Sequence, residues 1–190
     1  VGRQRLVEGG RRCWEGHGIA FVFPIGEQGG EGNVVLAEAN AMETFGASVL
    51  IINLLANRAA FQAAYPDLDL PVVFVHTAAH VPDDVLEYDA VVATDFHSVF
   101  AVQSLAQEAG APILGYYIQD FEPHLFPPDS AEYSAALSSY SLIPCLIRFT
   151  NTPWNRTEVL SRAGLASAWV GPGAAVTLCP PRAVPSTVHL

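Results

Sequence analysis

The residues best suited to chemistry lie in one stretch. From 116 to 128 the chain reads Tyr-Tyr-Ile-Gln-Asp-Phe-Glu-Pro-His-Leu-Phe-Pro-Pro. An apolar run ends in Gln119 and Asp120, and Glu122 and His124 follow at once. Two carboxylates this close, in a partly apolar setting, can be driven to different pKa values and divide acid and base work. Flanking Ile118 and Phe121 predict a dry setting for Asp120, which would raise its pKa toward that of a useful base. Glu122 is expected on the same rim and competes for the role. Gln119 alternates to the other side of an extended strand and is expected to support the loop. Three prolines and several aromatics stiffen the segment. A salt-bridged structural loop is the alternative, and the scarcity of nearby cations argues against it.

Two further loops carry candidates. Residues 24–33 read Pro-Ile-Gly-Glu-Gln-Gly-Gly-Glu-Gly-Asn, following an apolar run and preceding a helical pattern. Gly29, Gly30 and Gly32 would allow backbone to approach a ligand closely, with positive φ open to Gly30 or Gly32, and Asn33 can cap the helix. The spacing is not G-x-G-x-x-G, since Val35 stands where the third glycine belongs. No acid follows a second strand to hold a ribose, so a nicotinamide site is disfavoured. A flexible turn is the plain alternative. Residues 94–98, Thr-Asp-Phe-His-Ser, close another apolar run. Asp95 can be the cap of the next helix, or Asp95 and His97 can bond a ligand hydroxyl.

Other patterns carry less. His76 and His80 have the spacing of a metal pair, but the glutamate of H-E-x-x-H is missing and Pro82 interrupts, so no metal site is assigned. Asp67-Leu-Asp69 sits in a turn before a strand rather than after one. Ser98, Ser104 and Ser130 lack the strand–turn–helix context of an activated serine. Asn155-Arg-Thr157 is a glycosylation sequon, irrelevant in a cytoplasmic chain.

Composition narrows the function classes. The chain has 190 residues, 51% hydrophobic and 15% charged, enough for a domain with a substantial core. All nine cations are arginine, which excludes a P-loop lysine and a Schiff-base amine. Net charge is −10, and between Cys13 and Ile147 seventeen acids face one base, Arg58. Nucleic acid is therefore not an expected partner. Four arginines in the first twelve residues are the one feature that suits a membrane surface. Three widely spaced cysteines with no C-x-x-C pair predict reduced thiols and a cytoplasmic location, extending to the inner membrane face through those arginines. The chain starts on Val1 and ends on Leu190 without a closing helix, so a piece of a longer protein is expected.

These loops need elements to position them. Apolar runs at 19–23, 48–53, 72–75, 90–94, 113–119, 144–149 and 168–170 are continuous rather than alternating, as in strands covered on both faces. Helical patterns occupy 33–45, 58–64, 97–108, 130–141 and 152–163, with Asp129-Ser130 as a start and Gly110 and Gly164 as stops. The alternation predicts an α/β fold: a Rossmann-like parallel sheet with helices on both faces. Ligands then gather at the carboxyl ends of the strands, where the three loops meet.

Residues 116–128, the following Ser130-Ala-Glu-Tyr133, and Phe149-Thr-Asn-Thr-Pro-Trp154 together resemble the N-terminal half of bacterial GT-B glycosyltransferases, most closely WsaF-type rhamnosyltransferases. The I-Q-D-x-E-P segment is the specific part, and the Gly-rich loop before residues 33–40 and the segment 89–94 fit the same pattern. The resemblance covers roughly residues 12 to 180. It implies a helical lead-in at 1–16, an acceptor-side domain at 17–175 and the start of an interdomain linker at 176–190. The donor-binding domain would lie beyond. It further implies transfer of a sugar, rhamnose by that likeness, from a nucleoside-diphosphate sugar to a bacterial surface glycan, with no cofactor or metal. Asp120 and Glu122 would be catalytic. Gly29, Gly30, Gly32, Asn33, Asp95, His97, Gln119 and His124 would bind substrate. A non-catalytic α/β domain that binds carbohydrate or protein is the alternative class.

Overall fold

The computed structural model describes residues 2–77 and 81–170. Seven parallel strands form one sheet in the order β3-β2-β1-β4-β5-β6-β7. They are β1 (Gly18–Val22), β2 (Ser48–Leu54), β3 (Val72–Val75), β4 (Ala90–Ala93), β5 (Ile113–Ile118), β6 (Ile147–Thr150) and β7 (Ala168–Trp169). Every apolar run read as a strand is one. The sixth starts three residues later than expected, after Pro144, which has no N–H to give a ladder.

Alternate strand residues feed two cores. Ala20, Val22, Tyr116 and Ile118 pack toward α4 (Phe96–Val102), α5 (Ala131–Ser139) and the turn after α6 (Pro153–Glu158). Ile19, Phe21 and Tyr117 pack toward α2 (Gly30–Thr44) and α3 (Arg58–Ala64). The period-2 alternation of strands and helices on both faces define an α/β, Rossmann-like domain. An N-terminal helix, α1 (Gly2–Trp14), brings Trp14 to the second core.

Helix boundaries follow local chemistry. Ser130 accepts the Tyr133 N–H at 3.1 Å and caps α5. Thr152 caps α6 through the Asn155 N–H at 3.1 Å. After α6 the chain makes a single π turn over Val159–Ala163 and stops at Gly164, in the left-handed region at φ 69°. The helix expected over 97–108 splits: α4 ends at Val102, and a tighter 3-10 segment, Gln103–Gln107, carries on. Gly110 turns back at φ 78°.

Coverage of the second face is uneven. The crossovers from β1 and β2 run toward one edge and place α2 and α3 over that half. Among the described residues, β4, β5 and β6 show Val92, Gly115, Phe149, Ile113 and Ile147 to a groove of about 600 Å³ beside Met42 and Phe45. Ile113 is 59% exposed and Ile147 53%.

The chain order reverses direction between β1 and β4. Open parallel sheets bind ligands at the carboxyl ends of strands beside such a switch point. The loops after β1, β4 and β5 all leave the sheet at that end.

Candidate functional site

The loop after β1 enters α2 earlier than its glycines suggest. Gly29 is the extended N-cap residue, and Gly30 and Gly32 already lie in the first turn. Asn33 is therefore not the cap: its N–H donates to the Gly29 carbonyl at 3.0 Å, an ordinary helical bond. Neither Gly30 nor Gly32 has positive φ; among the described residues only Gly16, Gly46, Gly110 and Gly164 do. The strain expected for bulk at these two positions is absent, and space decides instead. A Cβ on Gly32 would stand 2.5 Å from the Tyr65 hydroxyl and 3.2 Å from Phe23, whereas one on Gly30 would meet nothing within 4 Å. Gly32→Val is expected to cost ~1–3 kcal/mol by overpacking, and Gly30→Val to be near neutral. Thermal melts of the two variants test this, and equal midpoints would refute the packing account.

The helix after β4 begins with a reciprocal cap. Asp95 Oδ1 accepts the Ser98 N–H at 2.8 Å, and the Ser98 hydroxyl accepts the Asp95 N–H at 3.0 Å. The capping role of Asp95 is thus real. Its second oxygen, Oδ2, lies 3.2 Å from His97 Nδ1. That bond is the main reason the His97 pKa is raised, opposed by partial burial and helped by the charges of Asp95 and Glu122. The His97 side chain is 61% exposed, so the imidazole is accessible at the rim.

The loop after β5 separates its two carboxylates sharply. Asp120 is exposed. The dry setting expected for it belongs to Glu122, which is only 9% exposed. Glu122 heads a 3-10 turn, Glu122–Leu125, so the alternation of the strand no longer governs which way it faces. Its Oε1 accepts the Tyr116 hydroxyl at 2.6 Å and its Oε2 accepts the Phe96 N–H at 3.0 Å. Burial pushes its pKa up to about 7; the two hydrogen bonds pull it down, and Asp95 and Glu31 push it up again. Tyr116, fully buried, is driven well above the ordinary phenol range by desolvation first and by Glu122 second.

Glu31, from the Gly-rich stretch, joins this group. Its pKa is raised first by desolvation, then by its interaction with Asp120 and by the charge of Asp95. The structure thus brings Glu31, Asp95, His97, Asp120 and Glu122 together at the ends of three strands, with no arginine in these interactions. Sequence reasoning passed over Glu31. The signal was present: an acid set between two glycines at a strand's carboxyl end.

Gln119 and His124 turn elsewhere. Gln119 shares Tyr117's face, is buried, and its amide oxygen and nitrogen have no protein partner. Its carbonyl accepts from Asn155 Nδ2, which ties the end of β5 to α6. Asn155 is 1% exposed, so the sequon is closed to modification in the folded chain. His124 packs edge-on to Phe121 at 4.9 Å and lies 3.8 Å from Glu158 of α6, which Arg162 also engages at 2.7 Å. Among the described residues no group of three or more His, Cys, Asp or Glu is arranged to hold a metal ion. His80 and residues 171–190, including the start of the expected linker, lie outside the described residues.

No family model matches the chain, and no curated protein matches its sequence. Among solved structures it is similar to the crystal structure of Anabaena Alr3699/HepE in complex with UDP and glucose. The TM-score is 0.60 at 14% identity, over 85% of this chain and 46% of that one. The two share a fold, and the present chain spans about half the neighbour's length. Among the described residues no helix is long and apolar enough to cross a membrane.

Proposed function

We propose that this chain is the acceptor-side half of a GT-B glycosyltransferase, and that the rim formed by Glu31, Asp95, His97 and Asp120 receives the hydroxyl that is glycosylated. The observation that carries the reading is the carboxylate group itself, gathered at the switch point of a Rossmann-like sheet from the ends of β1, β4 and β5. The fold shared with a protein solved with UDP and glucose supports it. So does the I-Q-D-x-E-P segment, whose likeness to WsaF-type enzymes favours rhamnose as the sugar and a bacterial surface glycan as acceptor.

In this reading Asp120 accepts the proton of the attacking hydroxyl as its oxygen bonds to the anomeric carbon and the nucleoside diphosphate leaves. Glu31, which interacts with Asp120, orients it. The Asp95–His97 pair, with His97 exposed at the rim, hydrogen-bonds neighbouring acceptor hydroxyls. No metal ion enters the scheme. The acidic rim would repel a diphosphate, so the leaving group falls to a donor-side half supplied outside this chain. The enzyme would work in the cytoplasm at the inner membrane face, with the N-terminal arginines near anionic lipid.

The experiment is donor turnover by the intact protein. With nucleoside-diphosphate rhamnose and a glycan acceptor, the full-length protein is expected to release nucleoside diphosphate and extend the acceptor, and residues 1–190 alone to do neither. Turnover by residues 1–190 alone would overturn the half-enzyme reading. Failure of the intact protein with rhamnosyl, glucosyl and other hexosyl donors alike would overturn the enzymatic one.

A further inference from the structure

Glu122 was expected to compete with Asp120 for the chemistry, but its surroundings suit another task. Both of its oxygens are occupied, one by Tyr116 and one by the Phe96 N–H, and the residue is buried. Its burial, with these two bonds turned inward, keeps it from a substrate hydroxyl at the rim. The partners come from two different elements. Tyr116 is in β5, and Phe96 is the first residue of α4. Asp120 lies two residues before Glu122, and Asp95 one residue before Phe96.

We propose that Glu122 is a positioning residue, a buried clasp that joins the exit of β5 to the head of α4 and so sets the spacing of Asp120 against the Asp95–His97 pair. The inference rests on the rim being the functional site. The clasp acts through Asp120, Asp95 and His97 and touches no substrate itself.

The groups facing Glu122 explain how it holds in either protonation state. They are Tyr116 from β5, Asp95 and His97 from α4, Tyr140 from α5 and Glu31 from α2. None is a permanent cation, so the carboxylate rests chiefly on its two hydrogen bonds, with a protonated His97 adding to them. When ionised it accepts from Tyr116 and Phe96. When protonated, its carbonyl oxygen still accepts from Phe96 and its O–H donates to the Tyr116 oxygen. Glutamine reproduces the second arrangement, with its amide N–H replacing the O–H. Alanine removes both bonds. Both variants also remove the charge, so any difference between them is geometric.

The test compares wild type, Glu122→Gln, Glu122→Ala and Tyr116→Phe by amide exchange at Phe96 and by NMR titration of His97. Glu122→Ala is expected to speed Phe96 exchange about tenfold or more, the effect of one lost buried hydrogen bond, while Glu122→Gln restores protection to within about threefold. The His97 pKa should fall further in the alanine variant than in the glutamine one, because Asp95 is no longer held. In wild type, Phe96 exchange should show a pH step near 7 that is absent in Glu122→Gln. Tyr116→Phe should move that step upward, since it removes a bond that favours the ionised form, and this arm stands if the alanine variant does not fold. Equal Phe96 protection and equal His97 pKa in the alanine and glutamine variants would overturn the clasp, as would a step unmoved by Tyr116→Phe. None of these readouts needs a sugar donor, so failure of the glycosyltransferase reading and failure of the clasp are told apart.

Discussion

Asp120→Asn in the full-length protein is expected to lower turnover by ~10²–10⁴, the usual loss when a general base is removed, with the fold intact. The side chain is exposed at the carboxyl end of β5, so asparagine replaces it without disturbing the core. Glu31 interacts with it, and the charges of Asp120 and Asp95 both raise the Glu31 pKa. Burial and its acid neighbours raise the Glu31 pKa, so Glu31 keeps a proton more readily than an ordinary carboxyl. Asp120, exposed on the rim, is the carboxylate placed to meet a substrate hydroxyl. Steady-state kinetics beside a thermal melt check the expectation. Near-normal turnover in Asp120→Asn with a loss of turnover in Glu31→Gln would move the base to Glu31. Loss in neither would remove the rim from the chemistry.

The second large effect is on stability and follows from the burial of Glu122. Its pKa in the folded chain is about 7, against an ordinary value of 4.5. Between those two values the folded chain keeps a proton that the unfolded chain has released, so the unfolded state binds fewer protons and stability falls as pH rises. The contribution of Glu122 is most favourable below pH 4.5 and is lost as pH climbs through 7. At ~1.4 kcal/mol per pH unit, the change is roughly 3 kcal/mol across the window. Glu122→Gln cannot ionise and has no such dependence. Denaturant unfolding should therefore show Glu122→Gln gaining on wild type as pH rises from 4.5 to 8, by up to that amount, and holding no such advantage at pH 4.5. A difference between the two chains that does not vary with pH would show that Glu122 ionises as an ordinary exposed carboxyl. The same measurement bears on Glu31, whose raised pKa acts in the same direction and is common to both chains.

The two acids of the β5 loop show where sequence reasoning reached its limit. Residues 113–119 read correctly as a buried strand, and Asp120 and Glu122 were expected to share a rim. Period-2 alternation holds only while the backbone stays extended. Beyond Ile118 the chain leaves the strand, and from Glu122 it coils into a 3-10 turn that folds that side chain under the loop. The Gly-rich stretch failed in the opposite way. Its glycines suggested an irregular loop, but Gly30 and Gly32 are helical, and the packing of Tyr65 and Phe23 above Gly32 is the reason for a missing side chain there. The Tyr65 contact joins residues more than thirty positions apart and leaves no local mark.

By itself the sequence determined the strands, most of the helices and the end of the sheet where the three loops meet. Those are consequences of near-neighbour chemistry. Unbroken apolar runs favour buried parallel strands, Ser130 and Asp95 satisfy helix N–H groups within three residues, and Gly164 suits the left-handed stop. Tertiary structure decided what those loops do to one another. The strand order sets β4 beside β1, which brings Glu31 near Asp120, and Phe96 offers its N–H to a carboxylate twenty-six residues away. The bare face of β4, β5 and β6 is also a product of strand order, since the crossovers that carry α2 and α3 run toward the other edge. Burial, electrostatic neighbours and strand order are properties of the packed chain, and no spacing along the sequence encodes them.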